Sequence, residues 1–446
     1  MSIKIIELND IAIQISDHSG LIQKTSGFLS TSDALTLFGD EAERSSRLMP
    51  TTTYSKFWQE LSLDTIENVK GFRHFADMAY SQLMYISEQY EFSDEVIFAV
   101  PSHFTGRQLA ILLGLAEKTP LRVKGVVDLS AAATALSFAE EKIVFVDLQL
   151  HQVVLSNLAV FDSGLELVST AQIPGAGRQN FIDALMLAAT NAFIQQCRFN
   201  PLHNAESEQQ LYNELTKLLD AEDVKDSALE IKFGQSSYTA TLPRESLITS
   251  LSDCYRKIND ALKDVGCDAG QILLSAAMGR LPGCLASIKG SVPTLACSPD
   301  SVCKAALKYQ DVILANADEG LTLINRLPVQ RTSQLTRDKC TSELVPTHVL
   351  FENVAFPVTD LRLKNHYHLA ERIPAQAIPA LSIPGFPDEL GHIQKTYSGV
   401  LFDSHIEEVS VNGANIMDPV TLCVGDVIEF KDSADQLTLI RVESNG

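Results

Sequence analysis

Residues 95–141 read strand, helix, strand, helix, and that order limits the possible folds more than any other feature. "EVIFAVPSHF" (95–104) is a continuous apolar run closed by Pro101, and "GRQLAILLGLAEK" (106–118) has helical spacing. "LRVKGVVDLSAAATALSFAEE" (121–141) repeats the pair. Parallel strands need a long crossover between them, and their helix-covered sheets bury both faces of each strand. An α/β architecture follows. The alternation continues on either side. Residues 3–15 predict a hairpin with Asn9 and Asp10 at its tip, and 64–90 predict a long helix starting at Asp64. "KIVFVDLQLHQVVLSNLAVF" (142–161) places Asp147 at the end of a buried strand but has no glycine with which to turn. Helices are expected at about 178–198 and 205–220, a hairpin at 228–243, a helix at 244–266 and a buried strand at "QILLSAA". A last helix, 298–315, would be capped by Ser298 before Pro299. Two related sheet-and-helix lobes would thus span 1–327. The polar, aperiodic stretch 328–346 is expected to be a linker, and 347–446, with short β patterns and several prolines, a small all-β domain.

Charge narrows the partners. A formal net charge of −21 spread over 446 residues argues against nucleic acid and anionic membrane surfaces, both polyanions. No stretch approaches the roughly 18–20 apolar residues of a spanning helix, and "MSIKIIELND" lacks the apolar core of a signal peptide. Membrane insertion is therefore not expected. The eight cysteines show no ligand spacing and read as reduced residues of a cytoplasmic protein.

The ordered blocks carry a resemblance. "FGDEAERSSRLMPTTTYSKFWQEL" (38–61), "VIFAVPSHFTGRQLAILLGLAEKTPLRVKGVVDLSAAATAL" (96–136), "LPRESL", "ILLSAAMGRLP" and "CSPDSVCKAALKYQDVIL" follow one another as in a known nucleotide-binding domain. The chain resembles the heat-shock-70 chaperones of the actin-like ATPase superfamily over roughly 1–325. That resemblance implies a two-lobed fold with ATP and magnesium between two hairpin tips. If nucleotide is bound, it assigns Glu7, Asp147, Gly177 and Arg280 to the site.

The tips depart from the family pattern. Where the family has "DLGTT", this chain has Glu7-Leu8-Asn9-Asp10-Ile11; where it has "DLGGGT", Asp147 and Leu148 lead into Gln149, Leu150, His151 and Gln152. Residues bearing a Cβ neither adopt positive φ readily nor approach a phosphate closely. Asp147 either ends a strand by bonding backbone or orders a magnesium-bound water. His151 is a polar turn residue or a base. "AAMGRLP" replaces "GGSTRIP" and keeps Arg280, and "IPGAGRQNF" keeps Gly175, Gly177 and Arg178. The family's Pro-Thr switch is Leu129-Ser130 here, after Asp128.

The C-terminal stretch resembles a forkhead-associated domain through Asn412, Gly413, Leu422, Gly425, Asp426 and Ile428. Arg372, His392 and Asn412 are its candidate protein-contact residues. Glu389 stands where the family has a phosphopeptide-loop serine, and an acid there repels phosphothreonine. The expectation is a non-catalytic pseudo-ATPase scaffold acting through other proteins, without a cofactor. The alternative is an ATP-binding chaperone-like or filament-forming ATPase with atypical phosphate loops.

Overall fold

The computed structural model describes residues 3–442 except 33–34, 68, 70, 90–94, 139, 162–163, 222–225, 266–268, 289–291, 316–319, 330–345, 352–353, 359, 365–379, 383–388, 397–398, 405–408, 412–413, 416–418 and 431–435. The chain divides into two compact units, Met1–Gln330 and Arg331–Gly446. Most of the expected linker, 330–345, lies outside the described residues.

The first unit is mixed α/β and holds two six-stranded sheets. In the first, β1 (Ile3–Glu7), β2 (Ile13–Asp17) and β3 (Gly20–Thr25) form an antiparallel meander. On its other edge β1 pairs in parallel with β4 (Glu95–Val100), which pairs in parallel with β5 (Arg122–Asp128). The second sheet repeats this plan. β6 (Lys142–Leu148), β7 (Gln152–Phe161) and β8 (Gly164–Pro174) make the meander, and β6 pairs in parallel with β9 (Gln271–Leu274), which pairs with β10 (Thr294–Ala296). The chain then closes both sheets: β11 (Leu323–Ile324) adds to β5 and β12 (Arg326–Leu327) to β8.

Period-two alternation explains how β6 serves two cores. Val144, Val146 and Leu148 face one cluster with Phe181 and Leu185, whereas Ile143 and Phe145 face another shared with Ile5, Ile97 and Val127 of the first sheet. That shared cluster also contains Ala131, Ala132, Ala133, Val302 and Ala305. A third cluster covers the far face of the first sheet, where Leu83 of α1 (Phe75–Gln89) and Leu112 of α2 (Gly106–Ala116) pack on Phe98. α3 (Leu129–Thr134) follows β5 directly. Asp128 caps it, its Oδ1 accepting from Ala131 N at 2.9 Å and Ser130 Oγ at 2.6 Å. α4 (Arg178–Cys197) and α5 (Ala205–Asp220) cover the second sheet and the hairpin Ser227–Phe233/Ser236–Leu242.

Five local expectations need correction. The helix predicted from Asp64 starts at Phe75, because Gly71 takes φ +85° and Asp77 accepts from the N–H groups of Arg73 and His74 at 2.7 and 3.0 Å. The stretch 244–266 is two helices, Arg244–Ser250 and Ser252–Val265, and 298–315 yields Ser301–Lys308 and Gln310–Leu314. Ser298 does not cap a helix; its hydroxyl bonds Asp300 instead. The segment 142–161 does turn, through Gln149-Leu150-His151, without glycine or positive φ.

The second unit is mostly strands. Six run in the order Val354–Pro357, His348–Phe351, Gln436–Ile440, Val427–Phe430, Val409–Val411, Ala414–Asn415. Five run in the order Ala380–Ser382, Asp360–Lys364, Glu389–Thr396, Gly399–Ser404, Val420–Leu422. Val349, Leu439 and Ile428 of one sheet share a core with Leu361, Ile393 and Phe402 of the other, so the two sheets pack face to face. Cys423 is disulfide-bonded, which corrects the reading of every cysteine as reduced. Spacing along a chain does not report which thiols a fold brings together. Cys197, Cys254, Cys284, Cys297 and Cys303 are free. Among the described residues no helix is long and apolar enough to cross a membrane.

Candidate functional site

The β1–β2 and β6–β7 tips meet, and they meet directly. Asn9 Nδ2 donates to both carboxylate oxygens of Asp147, at 3.1 and 3.2 Å, and to the Leu148 carbonyl at 2.9 Å. Its own Oδ1 accepts from Ile11 N at 3.0 Å, an Asx turn that holds the first tip. In the opposite direction Asp10 Oδ1 accepts the backbone N–H of Leu150 at 2.8 Å. Asp147 therefore bonds a side chain of the other sheet, which neither sequence-level reading of it anticipated.

Leu150 stands where the family pattern has glycine, and its side chain explains the change. It is fully buried in a small cluster with Phe28 and Ala42 of the first half, flanked by Ile11 and Leu37. Burying a leucine contributes about 1.5–3 kcal/mol, so this tip packs where a phosphate-binding tip would stay open.

The N-terminus of α4 completes the arrangement. Arg178 N donates to the Gln149 carbonyl at 2.8 Å, Gln179 N to that of Leu150 at 2.9 Å, and Gly175 N to that of His151 at 3.2 Å. The N–H groups of Arg178 and Gln179 are backbone donors that a helix N-terminus would otherwise turn toward an anion. Gly177 permits the contact: a Cβ there would lie 2.3 Å from Gln152 N and His151 C. Its role is close packing against the tip.

Around this seam lies a layer of buried amides. Gln152 Nε2 donates to Gln149 Oε1 at 2.9 Å, and the two amide nitrogens lie 3.3 and 3.4 Å from the ring nitrogens of His103. Burial pushes His103 down to about 4, so it is neutral. His151 pairs with Ser55 Oγ at 2.9 Å and is likewise held below the usual imidazole value, mainly by burial.

The carboxyls move the other way. Burial lifts Asp147 to about 7 against a hydrogen bond from Gln149, with the charge of Asp10 adding to the rise. Asp10 rises to about 7 by burial, opposed by the Leu150 N–H. Glu7 keeps part of its surface open to a cavity of about 60 Å³ shared with Asp147, Asn9, Ser275 and Ser298. The protein around its carboxyl, and then Asp147, still push it to about 8. Asp128 is raised by burial too.

The structure thus brings Glu7 and Asp147 to one cavity and places Gly177 beside the second tip. Arg280 ends the helix Ala276–Arg280, half-buried, and does not line that cavity. His392 lies mid-strand, paired with Arg362 and Asp403, rather than in a loop. Arg372 and Asn412 lie outside the described residues. Among the described residues no group of three or more His, Cys, Asp and Glu could hold a metal ion. Asn9, Asp10 and Leu150 are the contact residues that sequence reasoning did not assign. Their signal was the paired Asn-Asp at one tip and a leucine in a glycine position at the other. No known family model matches the chain, and no curated protein shows significant similarity to it.

A pH dependence follows. Asp10, Asp147 and Glu7 hold protons in the folded state that the unfolded chain releases near its ordinary carboxyl values. Their contribution is complete at about pH 4 and is lost as pH rises toward 8. His103 works in the opposite sense below about 6.5. Asp147→Asn, which keeps the shape and cannot ionise, is expected to stabilise the protein at pH 8.5 by about 1–3 kcal/mol and to be near neutral at pH 5. Urea unfolding of both proteins at the two pH values checks this; equal effects at both would refute it.

Proposed function

We propose that the chain is a pseudo-ATPase scaffold: an actin-like, heat-shock-70-like body joined to a forkhead-associated-like sandwich, working through protein partners. The repeated strand plan of the two sheets supports the first part, since both carry a three-strand meander followed by two parallel strands. The eleven described strands in two facing sheets support the second. The observation that carries the functional reading is the bond from Leu150 N to Asp10. A backbone donor at the position of phosphate recognition already has its acceptor, the Asp10 carboxyl, and that acceptor is part of the protein.

A phosphate would have to displace the Asp10 carboxylate, separate Asn9 from Asp147 and lift Leu150 from its apolar contacts. It would gain no glycine backbone in return. Each lost hydrogen bond to a charged group costs about 1–3 kcal/mol, so two or three losses weaken binding by orders of magnitude. Turnover needs, in addition, a water held in line and a stabilised leaving phosphate. Partner binding then falls to surfaces of the body and of the sandwich.

The test is phosphate release by the purified chain with magnesium and ATP, beside Asp147→Ala. No turnover above background is expected from either protein. Magnesium-dependent turnover that disappears in Asp147→Ala would establish the ATPase reading instead.

A further inference from the structure

Beside the 60 Å³ cavity, with which it shares Ile11 and Ala12, the first unit has a pocket of about 310 Å³ between its two halves. One wall is the end of β3 and the one-turn helix Gly39–Glu43, with Lys24, Ser26, Asp40 and Arg44; the other is α5, with Thr216, Lys217 and Asp220. The acids here are engaged. Asp40 accepts from Ser26 N at 3.2 Å, and Glu43 and Asp220 take the two arms of Arg178 at 3.2 and 2.9 Å. The cations are less committed. Lys217 pairs with Glu214 on the helix surface, while the charged ends of Lys24 and Arg44 have no partner among the described residues. Two hydroxyl oxygens in the lining, Ser26 Oγ and Thr216 Oγ1, are buried without a partner at hydrogen-bonding distance, although Ser26 acts on Glu43 from farther away. Ser26 is only 3% exposed. A buried hydroxyl without a partner is costly unless something arrives to use it.

We propose that this pocket binds a small multiply charged oxyanion, a phosphate ester or a polycarboxylate. Lys24 and Arg44 neutralise the anion from one wall, Lys217 approaches from the other, and the Ser26 and Thr216 hydroxyls donate to its oxygens. In a chain of net charge −21, such free cations in one recess oppose the general field. The bound anion touches both halves of the unit, so it ties them together. The site borders the first tip through Ile11 and Ala12, but binding there requires neither magnesium nor Asp147.

The experiment is the melting temperature of the full chain in orthophosphate, in citrate and in sodium chloride of equal ionic strength, without magnesium. Either oxyanion at saturation is expected to raise it by about 3–5 °C above the chloride value. The response of one oxyanion alone identifies the phosphate or the carboxylate source. The rise should vanish in the double variant Lys24→Ala/Arg44→Ala, whose side chains are exposed and whose fold should survive, and shrink in Thr216→Val. It should persist in Asp147→Ala, which separates this site from the tips. No rise with either oxyanion, an equal rise in the double variant, or an equal rise with uncharged adenosine overturns the proposal.

Discussion

Gly177→Ala is expected to destabilise the first unit by about 3 kcal/mol, a large loss for the addition of one methyl group. Three backbone atoms of His151 and Gln152 lie within 2.5 Å of the required Cβ position, and backbone cannot rotate away as a side chain end would. The substitution forces α4 from the tip and breaks the bonds from Arg178 N and Gln179 N to Gln149 and Leu150. Gly114→Ala provides the control. It lies exposed within α2 with nothing near its Cβ, and replacing a mid-helix glycine there should stabilise by about 0.5–1 kcal/mol. Urea unfolding of the two variants measures both signs; a Gly177→Ala protein as stable as the parent would contradict the close approach.

Arg178→Met is the second large expected loss, about 3 kcal/mol at pH 8. The guanidinium is nearly buried and bridges Glu43 and Asp220, and Tyr212 donates its hydroxyl to Glu43 at 3.0 Å. Burial alone would lower the Arg178 value, but Glu43 and then Asp220 outweigh it, so the charge is held firmly. Removing it strands the Glu43 carboxyl, which burial already raises. Adding Glu43→Gln should therefore recover much of the loss, because the stranded charge is gone. The loss in Arg178→Met should also shrink as pH falls, since the acid without its cation escapes by taking a proton. A double-mutant cycle at pH 5.5 and 8 reads both effects, and strictly additive losses at pH 8 would show that the pair does not interact.

Both predictions concern residues legible as a motif but not as a contact. "IPGAGRQNF" marks a glycine turn before a helix, and the helix Arg178–Cys197 forms where periodicity places it. That Arg178 reaches Glu43, 135 residues earlier, is written in no local pattern. The boundaries that failed have the same origin. Residues 64–74 have helical spacing, yet Gly71 at positive φ and the Asp77 carboxylate move the start of the helix to Phe75. Ser298 has the chemistry of a cap, but its hydroxyl is taken by Asp300.

By itself the sequence determined the alternation of strands and helices through 95–134, the apolar parallel strands, the strand-rich C-terminal unit and the loss of glycine at both tips. These depend on periodicity and on the conformations open to a Cβ-bearing residue, both local properties. The tertiary structure alone decided what replaced the glycines. Asn9 meets Asp147 across 138 residues of chain, and Asp10 meets Leu150 across 140. Neither tip can satisfy its buried polar groups from its own hairpin. Only the packing of the two sheets brings a carboxylate to one N–H and an amide to the other carboxylate, because a buried hydrogen bond depends on distance in space and not on separation along the chain.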